Sequence, residues 1–172
     1  FIKGAADILS DDKVQQKAQG HLINGIQTSG NIFTLRTSIT EKIEKIIRLE
    51  LQKYWVSFRD SREGLIKSWP SDYSISGWLV SMRSGGELSA HIHEGSWVTG
   101  SIYINVPSKR KVDSGNLVVC LDDVKGKNNM RSIDVVTGSL CLFPSSLLHY
   151  TVPFESNESR IVLAFDVIPK LN

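Results

Sequence analysis

The chain has 172 residues, which is enough for one compact domain with a substantial core. Hydrophobic residues make up 41% and charged residues 22%, as in an ordinary globular protein, and no apolar run approaches the roughly 20 residues of a membrane helix. The net charge of +2, with only one basic cluster at 109–111, disfavours nucleic-acid binding and predicts that this cluster is a solvated loop.

The N-terminal part of the chain is predicted to be mostly helical. A weak helix is expected over about residues 11–21, after an irregular N-terminus, and "NGIQTSGNIFTL" at 24–35 is expected to be a loop or a short strand. The chain begins at Phe1 rather than Met and has no signal-peptide pattern. This start is compatible with a fragment or processed form whose missing sequence carries another domain.

A long amphipathic helix is predicted over residues 38–58. Ser38, followed by Glu41 three residues later, is typical of a capping box at the start of a helix. Apolar residues then recur at steps of three and four and form one continuous stripe, which consists of Ile39, Ile43, Ile46, Ile47, Leu51, Tyr54, Trp55 and Phe58. Such a stripe requires a partner surface, so we expect the helix to cover the outer face of a sheet.

From Ser74 onward the pattern changes to β-structure. Short runs rich in Val, Ile, Leu and aromatic residues alternate with Gly, Asp, Asn and Ser: "SGWLVSM", "LSAHIH", "VTGSIYINV", "GNLVVCL", "SIDVV", "SLCLF", "LLHYTV" and "RIVLAFDV". About eight strands of this kind predict a double-sheet jelly roll or barrel. We therefore expect a single domain over 1–172, with a helical support at 1–70 and a β core at 74–168.

The two cysteines, Cys120 and Cys141, lie inside apolar runs and form no metal-binding or disulfide spacing. This placement favours buried thiols in a reducing compartment, which predicts a cytoplasmic location. A disulfide between neighbouring strands stays open as the alternative.

Three of the four histidines lie in the predicted β region. His91 and His93 in "SAHIHEGSW" share one face of a strand, so one cation can bridge them. His149 is the third histidine of that region, whereas His21 lies in the N-terminal part and is expected to be structural. Imidazole suits Fe, Zn, Cu and Ni, so these residues alone do not choose the metal. The alternative is that the pair is exposed on an edge strand.

An arginine follows His149 at the start of the last predicted strand. Strand alternation places Arg160 on one face with Val162 and Ala164, which directs a guanidinium into the interior of the jelly roll. A buried guanidinium is costly unless it meets a carboxylate, and a bidentate partner suits arginine best. The alternative is that Arg160 lies at the strand end and reaches solvent.

The order of these motifs resembles the Fe(II)/2-oxoglutarate-dependent oxygenases, which have a double-stranded β-helix core. The similarity is to a bacterial and phage group of these enzymes that is distantly similar to the prolyl hydroxylases. It spans roughly residues 24–168 and rests on "NGIQTSGNIF", "GGELSAHIHEGSWVTGSIYINVP", "SGNLVV", "GSLCLFPSSLLHYTVPF" and "SRIVLAFDV".

The resemblance implies roles for individual residues. His91 matches the first metal ligand and His149 the distal ligand, while Arg160 would bind the C5 carboxylate of 2-oxoglutarate. Tyr103 in "SIYIN" matches a position whose hydroxyl helps to bind that carboxylate, with packing in the sheet as the alternative. Two tryptophans, Trp97 and Trp78, are candidates for the substrate mouth or for the core.

The chain departs from the family pattern at position 93. The usual facial triad has two histidines and one carboxylate, but His93 stands where the carboxylate is expected. Glu94 is expected to face the opposite way unless a bulge turns it inward. Because HxH versions occur in the resembling group, His93 is retained as a ligand.

The resemblance implies an Fe(II)- and 2-oxoglutarate-dependent dioxygenase that hydroxylates a small molecule or a peptide and releases succinate and CO2. The alternatives are a cupin-like metalloenzyme that does not use 2-oxoglutarate and a non-catalytic jelly-roll module that binds a ligand. Pocket specificity is expected to come from the loops at 108–114 and 122–131.

Overall fold

The computed structural model describes residues 2–11, 14–17, 19–120 and 129–170. In these residues the helices are α1 (Ile2–Ser10), α2 (Ser38–Phe58) and α3 (Gly64–Lys67), with a 3-10 helix at Ile32–Leu35. The strands are β1 (Gln16–Lys17), β2 (Leu22–Thr28), β3 (Tyr73–His91), β4 (Val98–Asn105), β5 (Leu117–Cys120), β6 (Met130–Ile133), β7 (Leu140–Pro144), β8 (His149–Thr151) and β9 (Arg160–Pro169). None of the helices in these ranges combines the length and hydropathy that crossing a membrane requires.

Helix α2 confirms the predicted helix over 38–58, but its cap lies one residue earlier. Thr37 is the N-cap, because its backbone is extended whereas Ser38 is already helical. The Thr40 amide donates to the Thr37 hydroxyl, and the Thr37 amide donates to the Thr40 hydroxyl. The predicted box of Ser38 and Glu41 is therefore wrong by one residue at both positions, since two threonines satisfy the same pair of amides.

The buried side of α2 packs on the outer face of the sheet. Ile43, Ile47 and Leu51 of this helix lie in one core cluster with Leu79 and Phe165 of the sheet. The predicted stripe is wider than the surface it covers, because several of its members remain 39–51% exposed, namely Ile46, Trp55 and Phe58. Only the central ridge of the stripe is used in this core.

The helix predicted over 11–21 is wrong. Strand β1 occupies part of that range and pairs antiparallel with β2, which in turn pairs with β3. Tertiary strand pairing overrides a weak helical periodicity here, because β2 satisfies its backbone along the edge of β3. Helix α1 precedes this hairpin, where an irregular segment was expected, and residues 12, 13 and 18 lie outside the described ones.

The strands curl into a half-barrel, which confirms the predicted jelly-roll class. They are hydrogen-bonded in the order β6-β5-β8-β3-β9-β4-β7, and β2 and β1 follow at the side of β3. Strand β3 joins two predicted strands into one. It pairs with β9 through residues 73–82 and with β8 at Leu88 and His91. Gly85, with a φ of 74°, lies between these halves, where the chain changes partner.

Strand β9 lies between β3 and β4 and separates the helix layer from the barrel interior. Leu163, Phe165 and Val167 face α2 in the core, whereas Arg160 and Val162 face inward. This alternation brings the polar residues of β9 into the same interior as the ends of β3 and β8.

Candidate metal centre

The three β-region histidines come together through strand pairing. His91 at the end of β3 is the register partner of His149 at the start of β8, so the two imidazoles are cross-strand neighbours. His93 follows two residues later, and its backbone amide donates to the Ser145 carbonyl, which holds this short extension beside β7. The i, i+2 spacing predicted from sequence thus delivers both side chains to one place.

The three imidazoles form a compact cluster. The ring centroids of His91 and His149 are 4.3 Å apart, and those of His91 and His93 are 5.1 Å apart. One nitrogen from each ring lies within 4.8 Å of the others. Three imidazole nitrogens at this spacing are a suitable donor set for one divalent transition metal.

Hydrogen bonds select the same tautomer in all three rings. The Nδ1 atom of His91 lies 2.8 Å from the Ser89 carbonyl, and that of His149 lies 2.9 Å from the Leu147 carbonyl. The Nδ1 atom of His93 lies 2.7 Å from Oδ1 of Asp166. Because these oxygens accept hydrogen bonds, each Nδ1 carries the proton and each neutral Nε2 is left as a free donor to a metal.

The Nε2 atoms of His91 and His93 lie 3.2 Å apart. Without a proton on either atom, as in the tautomers just described, their lone pairs are directed at each other at hydrogen-bond distance. A cation bound by both nitrogens relieves this repulsion, and the donor set therefore fits a metal ion.

Burial keeps two of the imidazoles neutral. It is the largest cause that lowers the pKa of His149 to about 4, with a smaller contribution in the same direction from the nearby His91 and His93. Burial is also the largest cause that lowers the pKa of His91. At neutral pH these rings are unprotonated, which is the state that metal ligation requires.

Arg160 is buried in the same cavity as the three histidines. It is 3% exposed, its Nε donates to the Gly115 carbonyl at 3.2 Å, and burial lowers its pKa. Among the described residues no carboxylate forms an ion pair with it. The expectation that this guanidinium points inward agrees with its burial, the alternative that it reaches solvent is excluded, and an anionic partner would offset its buried charge.

Tyr103 is 1% exposed and lies beneath the guanidinium, with the Arg160 carbon 5.2 Å from the ring centroid. Burial raises the pKa of its hydroxyl well above the ordinary range, so the group stays protonated and can donate a hydrogen bond. Both residues line the cavity that also contains the three imidazoles.

The two candidate tryptophans occupy different places. Trp78 lines the cavity, and its ring stacks on His93 with centroids 5.8 Å apart. Trp97 lies outside the cavity lining, packs against the core and donates from Nε1 to the Leu65 carbonyl. Glu94 is exposed and also lies outside the lining.

Three polar residues near the cluster were missed from sequence. Asp166 contacts His93, and Gln19, next to the β1–β2 hairpin, lines the cavity. His21 was expected to be remote and structural, but its ring stacks on His91 with centroids 5.5 Å apart. The hairpin places both N-terminal residues beside β3, which a local helix prediction cannot anticipate.

The loops that were expected to set pocket specificity do not line this cavity where they are described. Residues 108–114 contribute nothing to the lining. Residues 122–128 of the second loop lie outside the described residues, and the described remainder at 129–131 is also absent from the lining.

Comparisons with known proteins agree with this architecture. A family model described as "Putative 2OG-Fe(II) oxygenase" matches residues 76–166, whereas no curated protein matches the chain. A prolyl-4-hydroxylase from Pseudomonas putida aligns with a TM-score of 0.68 and 13% identity, over 98% of this chain and 84% of that chain.

Two further solved structures have the same fold. A prolyl hydroxylase from Trichoplax adhaerens, in complex with a hypoxia inducible factor peptide fragment, gives a TM-score of 0.68 and 14% identity over 97% of this chain and 76% of that chain. HygX from Streptomyces hygroscopicus, with nickel and 2-oxoglutarate bound, gives a TM-score of 0.64 and 12% identity over 99% of this chain and 78% of that chain. At these identities the structural likeness shows the fold alone.

Proposed function

Because the chain belongs to the 2OG-Fe(II) oxygenase family, whose model covers residues 76–166, we propose that it hydroxylates a small molecule or a peptide and releases succinate and CO2. Membership makes the protein an oxidoreductase that uses Fe(II) and 2-oxoglutarate. The proposed substrate classes are taken from the structural neighbours, one of which was solved with a peptide fragment and another with hygromycin B.

His91, His93 and His149 are the proposed metal ligands. Their support is the convergence of three Nε2 atoms whose rings are all oriented by acceptors at Nδ1. Fe(II) and 2-oxoglutarate, when bound, would supply the electrons that activate O2 for the oxidation of the substrate. The protein contributes binding, orientation and exclusion of water.

The observation that carries the proposal is a buried cation with no carboxylate partner among the described residues. Arg160 lies in the same cavity as the histidines, and its guanidinium is a bidentate donor suited to a carboxylate. We assign it to the C5 carboxylate of 2-oxoglutarate. Tyr103 is placed to donate to the same carboxylate, because its protonated hydroxyl lies beside the guanidinium.

Trp78 and the N-terminal hairpin are proposed to form the substrate side of the cavity. Trp78 covers one face of His93, and Gln19 reaches the lining from outside the barrel core. Trp97 is proposed to support the mouth only indirectly, since it packs between the core and α3.

We further propose that residues 1–172 act as one oxygenase domain. The support is a shared core, in which Ala5 and Leu51 of the helices lie in one cluster with Phe165 of the sheet. Both cysteines are free, which favours a reducing compartment such as the cytoplasm as the place of action.

Anaerobic titration of Fe(II) into the metal-free protein, with 2-oxoglutarate present, tests the assignment. The wild type is expected to develop the weak visible charge-transfer band that appears when 2-oxoglutarate chelates Fe(II). His149→Ala is expected to abolish the band. His21→Ala removes a neighbouring imidazole that is not a proposed ligand, so this control variant is expected to retain it.

Each outcome has a defined meaning. Metal binding without the band would contradict 2-oxoglutarate use and favour a cupin-like metalloenzyme. No metal binding at all would favour a non-catalytic module. Succinate formed in proportion to consumed 2-oxoglutarate would support the oxygenase, and turnover that persists in His91→Ala would contradict the ligand assignment.

A further inference from the structure

We infer that Asp166 supplies, through His93, the carboxylate that this site lacks among its proposed ligands. In the usual facial triad a carboxylate binds the metal directly, and here an imidazole stands in that position. Asp166 contacts this imidazole on the side opposite its free nitrogen. The inference rests on the proposed metal site and concerns a positioning residue rather than a catalytic one.

The three imidazoles differ in what holds them. His91 and His149 each donate from Nδ1 to a neutral backbone carbonyl two residues earlier in the chain. His93 instead donates to Asp166, which is 73 residues away in sequence, at 2.7 Å. The one ligand that replaces a carboxylate is therefore the one that is hydrogen-bonded to a carboxylate.

The fold directs Asp166 to this task. Strand β9 alternates, so Asp166 lies on the same strand face as Arg160 and contacts His93, while Phe165 faces the helix layer. The Asp166 side chain is only 15% exposed, and among the described residues its ion-pair partner is His93. Thr99 lies beside the pair, and its hydroxyl donates to the Phe165 carbonyl at 3.1 Å. Its oxygen is also 3.4 Å from Nδ1 of His93, a longer contact than the 2.7 Å to Asp166.

The arrangement has two physical consequences for a bound metal. A carboxylate that accepts the Nδ1 proton fixes the tautomer and orientation of His93 and increases its basicity as a ligand. Its negative charge also offsets part of the dication's charge, which three neutral imidazoles do not. Removal of such an outer carboxylate typically weakens metal affinity by roughly 10- to 100-fold.

The direct test uses Asp166→Asn, which is isosteric, keeps an oxygen acceptor for Nδ1 and removes the charge. Co(II) is the probe, titrated anaerobically without 2-oxoglutarate and followed by its visible absorption. We expect the apparent Kd for Co(II) to rise roughly 10- to 100-fold. Asp72→Asn is the matched control, because Asp72 pairs with Lys170 on the surface away from the cluster, and it is expected to leave Kd unchanged.

A second pair of variants separates the proposed role from general structural damage. His93→Asp restores a carboxylate at the ligand position, so Asp166 loses the imidazole through which it acts. In this background Asp166→Asn is expected to weaken Co(II) binding by a smaller factor than in the wild type, since the hydrogen bond to the imidazole is gone and only the attraction between the Asp166 charge and the metal remains. A purely structural role would give the same loss in both backgrounds.

The outcomes distinguish the inference from the proposed function. If wild type binds Co(II) and Asp166→Asn binds it equally well, the inference is overturned while the metal site stands. If wild type binds no Co(II), both are overturned. Thermal unfolding of each metal-free variant checks folding, and Asp166→Ser provides a second charge-removing variant, with the same loss expected, if the amide variant does not fold.

Discussion

The guanidinium carbon of Arg160 lies 5.2 Å from the centroid of the Tyr103 ring, and both side chains are almost completely buried. The two are neighbours because Tyr103 on β4 pairs in register with Val162 on β9, two residues from the arginine. An aromatic face stabilises a cation without neutralising it. The contacts of the guanidinium edge are to neutral groups, the Gly115 carbonyl and the Met82 sulfur, so the charge of Arg160 stays without an anionic partner among the described residues.

Replacement of Arg160 is expected to weaken 2-oxoglutarate binding. Hydrogen bonds to charged groups contribute about 1.5–3 kcal/mol, so Arg160→Met should raise the Kd for 2-oxoglutarate by roughly 10- to 100-fold. Anaerobic titration followed by the charge-transfer band measures this change. Arg62→Met, at an exposed arginine, is the matched control and should bind normally.

The Arg160→Met variant also separates an effect on 2-oxoglutarate binding from an effect on stability. Because Arg160 has no carboxylate partner among the described residues, removing its charge should not lower the thermal unfolding midpoint of the metal-free protein. A lowered midpoint together with unchanged 2-oxoglutarate binding would show that the arginine is a structural residue.

Tyr103→Phe is expected to weaken 2-oxoglutarate binding by a smaller factor. The loss is a single hydrogen bond from a neutral donor to a carboxylate, at the lower end of the range of about 1.5–3 kcal/mol for bonds to charged groups, or roughly 10-fold in Kd. The ring remains, so the packing under Arg160 is preserved and the unfolding midpoint should change little. An unchanged Kd would indicate that Tyr103 serves the sheet core alone.

The metal-free protein is expected to lose stability as the pH falls from about 6.5 to about 4. Burial lowers the pKa of His149 to about 4, whereas the same group in the unfolded chain titrates near 6.5. In this window the unfolded chain binds a proton that the folded chain does not. The free energy of unfolding should therefore decrease, by on the order of 3 kcal/mol across the window.

Urea unfolding of the metal-free protein at several pH values measures this slope. His149→Asn lacks the titrating group and should show a flatter dependence over the same range. Burial also lowers the pKa of His91, so this residue should leave part of the pH dependence of stability in the His149→Asn variant. Stability that rises as the pH falls through this range would contradict the burial of a neutral His149.

Gly100→Ala is expected to destabilise the barrel by about 1–3 kcal/mol. A Cβ atom at this position of β4 would lie 2.8 Å from the Cys141 carbonyl and would also overlap the Phe165 ring, so the backbone would have to move. Gly64→Ala is the control, because nothing lies within 4 Å of its Cβ position. A neutral effect at Gly100 would mean that β4 and β7 can separate without cost.

The sequence predicted the residues of the cavity where local alternation decides which way a side chain points. His91 and His93 share a face through their spacing. Arg160 points inward because it alternates in step with Val162 and Ala164, which lie on the same face of the strand. The pairing of His91 with His149 needed only the order of strands that the resemblance implied.

Residues were missed where their position depends on contacts between distant segments. His21 and Gln19 reach the cavity because β2 adds to β3, and no local pattern in 11–21 indicates that pairing. Asp166 is different, because the alternation that directed Arg160 and Ala164 inward extends to it two residues later. The sequence therefore indicated the face on which Asp166 lies. Its contact with His93 could not be predicted, because it depends on the register of β9 with its neighbouring strands.

Strand β9 carries two charged side chains on one face, six residues apart: Arg160, which lines the cavity, and Asp166, which contacts His93. An insertion of one residue between Arg160 and Asp166 would turn one of the two to the outer face, where α2 packs. An insertion of two residues would keep both inward but separate them by about 7 Å more. Natural variation in this segment should therefore preserve its length, even where individual apolar residues change.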